Sequence, residues 1–168
     1  MIIYILIIFA YANSIPTNYD DLALINNSQE WSIHGFWPEF NKTTWPQFCN
    51  KTRYYDFTRS TLQGNLLDQM NKYWVSNTNL EKETDEETDN GTNWEFWTHE
   101  WRKHGTCQPK DPKDYFQNTI NLFLQAQHNN WYGCCNNEYF KPNILSECLI
   151  HINKTTNKWL GYCTGTGI

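Results

Sequence analysis

FWTHEWRKHGTC, residues 96–107, sets two histidines, a glutamate and a lysine in one short window, and the reading of the whole chain turns on it. The window reads as a helix: Thr92 followed by Glu95 makes a capping-box pattern ahead of it, and Gly105 stands where a residue just past a helix C-terminus belongs. On a helix turning about 100° per residue, His99, Lys103, Glu100 and His104 fall at about 0°, 40°, 100° and 140°, so all four share one side. Such a side can gather proton donors, acceptors and a fixed positive charge around one substrate atom. Taken alone, a polar helix face is more often just solvated. A second histidine string upstream changes the odds.

That string is WSIHGFWP, residues 31–38. Trp31, Ile33 and Gly35 alternate with Ser32 and His34, which predicts a short strand with two unlike faces, ended by Pro38. His34 then points away from Trp31 and Ile33. A lone histidine on a strand is usually structural, and Trp37 by itself reads as core.

Together and in this order, the two strings resemble the paired signatures of the ribonuclease T2 family of acid, cyclising endoribonucleases. Those patterns run W-x-I-H-G-L-W-P and F-W-x-H-E-W-x-K-H-G-T-C, and within them this chain departs only at Phe36, where leucine is usual. The resemblance implies an α+β fold, a small, mainly antiparallel sheet packed with several helices. It implies His34, Glu100 and His104 as catalytic residues, with His104 as base and His34 as acid. Trp37 would stack a base, while His99 and Lys103 would meet the phosphate. Glu39 takes the acidic position after the motif's proline. The implied substrate is single-stranded RNA, acted on by a monomer needing no metal or other cofactor and making no stable association with membranes. Cys49–Cys107 is an implied disulfide.

The chemistry can be argued without the family. Cleaving an RNA phosphodiester by way of a 2′,3′-cyclic phosphate to 3′-phosphate ends needs three things. They are a base for the ribose 2′-OH, an acid for the departing 5′ oxygen, and positive charge beside the phosphorus. Two imidazoles with ordinary pKa values near 6.5 can divide the proton work at mildly acidic pH. The residues alone leave open which histidine is acid and which base. Glu100, four residues before His104, is placed to sit beside that imidazole and favour its protonated form. A zinc-protease reading fails on spacing, because that motif needs histidines four apart whereas His99 and His104 are five apart and diverge by about 140°.

Residues 1–12, MIIYILIIFAYA, form an apolar run ending in a small-x-small pattern, read as a signal peptide ahead of a single domain at 13–168. Export to a secreted or lysosomal/vacuolar location fits five sequons, at Asn26, Asn41, Asn50, Asn90 and Asn153, and six cysteines. Residues 144–163 read as a hairpin turning at Thr155 and Thr156, which sets Cys148 and Cys163 at equal distances from the turn and predicts a Cys148–Cys163 bridge. Cys134 and Cys135 are left without partners. Tyr19 to Leu24 resembles the start of the family's first core strand, with a shorter run than usual before Trp31.

Leu62, Leu66, Met70 and Tyr73 follow helical spacing, as do Phe116, Ile120, Phe123 and Leu124 after the helix-start pair Asp111-Pro112. The acidic stretch at 76–93 reads as a solvated loop. A net charge of −5 argues against a tight, nonspecific grip on a polyanion but not against turnover, which needs positive charge only locally. The short N-terminal segment leaves room for a second class of function, a noncatalytic secreted glycoprotein of the same fold that acts by binding.

Overall fold

The computed structural model describes residues 18–26, 30–40, 44–76, 93–135 and 146–167. Four strands form one antiparallel sheet: β1 (Tyr19–Asn26), β2 (Trp31–Pro38), β3 (Ser146–Asn153) and β4 (Trp159–Gly167), in the order β2-β1-β3-β4. Three helices accompany it: α1 (Asn65–Tyr73), α2 (Asn93–Lys103) and α3 (Pro112–His128). This is the α+β architecture expected. The residues of the signal-like run, the sequons at Asn41 and Asn90, Thr92 of the capping box and most of the acidic stretch lie outside the described residues.

Leu22 and Leu24 of β1, Ile33 and Phe36 of β2, and Cys148, Ile150 and Ile152 of β3 turn one way and bury completely or nearly so. Against them pack Tyr115, Phe116, Ile120 and Phe123 of α3, with Leu66 and Met70 of α1. The helical periodicities are thus core faces. Asp111 caps α3 by accepting from the Asp114 N–H at 2.8 Å, and Pro112 opens the helix. Large buried polar rings are satisfied by main-chain carbonyls: Trp97 donates to Trp74, Trp101 to Arg53, and Tyr115 to Phe36. An aromatic-rich core can hold such rings only where each N–H or O–H finds an acceptor.

The cysteines correct the hairpin reading. All six are bridged, as Cys49–Cys107, Cys134–Cys163 and Cys135–Cys148. Near the turn the symmetry holds, since Ile152 faces Trp159; it would have put Cys148 opposite Cys163. A bulge then intervenes: between the Ile152–Trp159 pair and the next, Ile150–Cys163, β3 uses one residue and β4 three, with Gly161 at φ 90°. The register shifts by two, so Cys148 faces Gly165. Each hairpin cysteine instead reaches the short turn after α3, and adjacent Cys134 and Cys135 serve two different strands.

Gly105 also has another reason than the one its position suggests. It does not adopt the left-handed conformation, and a short 3-10 turn, Gly105–Cys107, continues from the helix. A Cβ there would lie 2.3 Å from the Trp101 ring, so glycine is required by packing.

Candidate active site

A second irregularity, in β2, sets the site. Ala23 pairs with Gly35 and Leu24 with Ile33, which leaves His34 as the extra residue of a β-bulge. Its carbonyl accepts from the Trp74 indole at 2.9 Å. Its Nδ1 meets Glu147 Oε1 of β3 at 2.6 Å, across the intervening β1. Nothing local in the sequence marks Glu147, which lies 113 residues away.

Helix α2 comes close to β2 at the same point. Trp37 donates from its indole nitrogen to Glu100 Oε2 at 3.1 Å, its ring stacks on His104 at 5.2 Å, and its edge meets the His34 ring at 5.0 Å. Both imidazoles therefore border one indole. Gly35 makes this approach possible: a Cβ at that position would lie 2.1 Å from Glu100 Oε2 and 2.2 Å from the Trp37 nitrogen.

Of the four residues read onto one helix side, three have side chains that divide between two neighbours. Glu100 and His104 turn towards Trp37, whereas His99 meets the Phe48 ring edge-on at 6.3 Å. Phe48 is itself held there by its N–H, which donates to the Lys103 carbonyl at 2.8 Å, next to the Cys49–Cys107 bridge. Arg53 secures the same region by donating to the carbonyls of Gln108 and Lys110 while lying over the Trp101 ring.

The expected pairing of Glu100 with a protonated His104 is not what forms. Glu100 is 2 % exposed and bonds to Trp37, and among the described residues His104 Nδ1 has no hydrogen-bond partner. Burial explains both departures from ordinary ionisation. It pushes the Glu100 carboxyl up to about 7, against the opposing pull of His34, the Trp37 N–H and Lys103. It drives His104, 3 % exposed, well below the usual imidazole value, and the positive charges of Lys103, His99 and His34 act the same way. The two are then neutral neighbours at mildly acidic pH.

Beyond Trp37 the same sheet face continues into a second polar row. Asp21 is paired in register with both Trp37 and His151, and its Oδ1 lies 2.5 Å from His151 Nδ1. Tyr19 and Tyr162 flank that imidazole. Glu39 is pushed up to about 8 by its own burial and by Asp21 beside it, and Asp20 up to about 6 by burial, even with Lys154 nearby.

These shifts have a consequence for stability. Glu39 and Glu100 hold protons more tightly folded than unfolded, where carboxyls titrate near 4.5, so their contribution is complete at acid pH and is lost as pH rises through 7 and 8. His104 acts oppositely, but only as pH falls below its unfolded value of 6.5. From pH 6.5 to 8.5 the carboxyls therefore dominate, and Tm measured by scanning calorimetry is expected to fall. A rising Tm over that interval would contradict the burial of these groups.

Among the candidate glycosylation sites, Asn50 is exposed and caps a short 3-10 turn by accepting from the Thr52 N–H. Asn153 is half-buried at the end of β3 and accepts from Thr155 and Thr156. Asn26 is 7 % exposed at the end of β1. Among the described residues, no helix is long and apolar enough to cross a membrane.

Known proteins resemble this chain in sequence and in fold. The family model of the Ribonuclease T2 family matches residues 5–143. Ribonuclease T2 of Aspergillus oryzae is 38% identical over 113 residues, which covers 57% of this chain and 37% of that protein. Ribonuclease 1 of Arabidopsis thaliana is 30% identical over 135 residues, covering 79% and 52%. Ribonuclease DdI of Dictyostelium discoideum is 31% identical over 144 residues, covering 79% and 57%. The alignments thus span between 37% and 57% of these relatives' length. In fold, the chain is similar to RNase NT in complex with 5′-AMP, with a TM-score of 0.53 at 18% identity, covering 86% of this chain and 90% of that one. With both histidine strings folded against one indole and the family model spanning most of its length, this chain belongs to the ribonuclease T2 family.

Proposed function

We propose that this protein is a metal-independent endoribonuclease that cleaves single-stranded RNA by transphosphorylation. The observation that carries the reading is the pair of imidazoles, His34 and His104, brought from separate elements to the same indole. His104 takes the role of base: burial favours its neutral form, in which one ring nitrogen carries the lone pair that accepts the 2′-OH proton.

In the first step the 2′-oxygen attacks phosphorus, the P–O5′ bond breaks, and a 2′,3′-cyclic phosphate forms. The 2′-OH proton passes to His104, and a proton from His34 goes to the leaving 5′ oxygen. Water reverses the roles in the second step and leaves a 3′-phosphate. Lys103 and His99 supply positive charge for the phosphoryl oxygens. Glu100, protonated below about 7, can donate a hydrogen bond to the same phosphate without repelling it, which favours an acidic optimum. Trp37, half-buried and stacked on His104, takes the role of base-stacking platform, which makes little demand on base identity. Relatives named as ribonucleases and the nucleotide held by RNase NT support RNA as the substrate. The apolar run at 1–12 and the disulfides fit a secreted or lysosomal/vacuolar enzyme.

The test is a short RNA incubated with the purified full chain at pH 5 with excess chelator. Cleavage is expected to persist, to leave cyclic and then 3′-phosphate ends, and to vanish on an all-2′-deoxy strand. Cleavage of the deoxy strand, or its loss on chelation, would overturn the mechanism.

A further inference from the structure

We propose that Glu147 is a positioning residue for His34, the carboxylate that fixes the acid imidazole in its working tautomer. This rests on the ribonuclease reading above.

The contact is built by three separate features of the sheet. The bulge frees His34 from the strand's regular alternation, so that its ring is set by side-chain contacts rather than by the pleat. Glu147 sits on β3 beside Ile25 of β1, whose other neighbour is Ser32 of β2, and from there its Oε1 reaches His34 Nδ1 at 2.6 Å. Cys148, next in sequence, is fully buried and bridged to Cys135, which anchors the strand at that level. The carboxylate is 11 % exposed and the imidazole 23 %, a contact largely withdrawn from solvent yet open on one side.

The chemistry follows from which nitrogen is occupied. A carboxylate accepting from Nδ1–H leaves Nε2 to face the substrate and to carry the proton that the departing 5′ oxygen needs. It also favours the imidazolium that such an acid must be before it acts. Trp37 at 5.0 Å and Phe96 at 6.0 Å confine the ring sideways, so the bond to Glu147 selects its flip state as well as its tautomer. Among the described residues, Glu100 and His104 are titratable groups that interact with His34. A neutral His104 and a Glu100 neutral below about 7 do not compete with Glu147 for the imidazolium at acid pH. The two imidazoles are thereby driven apart in basicity: the one by a dry pocket, the other by a partner carboxylate.

The experiment is Glu147→Gln in the full chain, which keeps size and an acceptor while removing the charge. The expected result is a kcat lowered by about 10- to 100-fold with KM for a short RNA unchanged. The alkaline limb of the kcat/KM profile should move about one pH unit to the acid side. In a His34→Ala background the same change is expected to have no further effect on the residual rate, because the residue it acts through is gone. Should Glu147→Gln fold poorly, Glu147→Asp, which keeps the charge but shortens the reach, is expected to lower kcat without moving the limb as far. Wild-type cleavage with an unmoved limb in Glu147→Gln, or equal losses in both backgrounds, overturns the proposal alone. A wild-type chain that cleaves no RNA overturns the ribonuclease reading, and the proposal with it.

Discussion

His104→Ala is expected to lower kcat on a short RNA by about 10² to 10⁴-fold, while KM changes little and the chain stays folded. The retention of fold has a physical basis. His104 is almost wholly buried against Trp37, so truncation loses contacts, but it also removes a nitrogen that has no partner among the described residues. Those terms oppose one another. Steady-state kinetics at pH 5 alongside thermal unfolding separates the outcomes: a normal rate removes His104 from the mechanism, and loss of folding with the rate would make it a structural residue. His34→Ala is expected to give a loss of the same order, because each imidazole carries its own proton transfer. The double substitution should cost little more than either single one, as for groups that act as a unit.

Gly35→Ala is the second large effect, and it reaches the chemistry through space rather than through charge. The new methyl would occupy the position where Glu100 Oε2 and the Trp37 indole nitrogen now meet, both just over 2 Å away. One of the two must retreat, and their hydrogen bond breaks. Because Trp37 borders both imidazoles, the disturbance is passed to His34 and His104. A displacement of about 1 Å in such a site is enough for a loss on the order of 10²-fold in kcat, with a stability cost of about 1–3 kcal/mol from overpacking. Indole fluorescence and kcat measured together provide the check. An unchanged kcat would mean that Glu100 and Trp37 are dispensable in their present geometry.

Much of this was legible in the residues because it is local. The strand at 31–38, the helix through His99 and Glu100, the core faces of Leu66, Met70, Phe116 and Ile120, and the capped start at Asp111 all rest on short-range periodicity and turn chemistry. The bridge Cys49–Cys107 came from resemblance and stands. What sequence could not reveal depends on register. A two-residue slip in the β3–β4 hairpin sends Cys148 to Cys135 and Cys163 to Cys134, and no local pattern announces such a bulge. The same holds for His34, whose carboxylate partner is reached across a third strand. Spacing on a helical wheel placed Glu100 near His104, but it could not tell that burial would leave each of them uncharged, with Trp37 taking the carboxyl's hydrogen bond.

The strand order also governs when the molecule becomes complete. β1 lies between two neighbours that are far apart in sequence, β2 from residues 31–38 and β3 from residues 146–153. A nascent polypeptide emerging from the ribosome therefore has both histidine strings long before β1 gains its second neighbour. Until then one edge of β1 stays unsatisfied, open to pairing with another chain. Closure by the late hairpin ends that exposure and delivers Glu147 in the same event. The carboxylate is thus made 113 residues after His34, and the pair at His34 can exist only once β3 has joined the sheet.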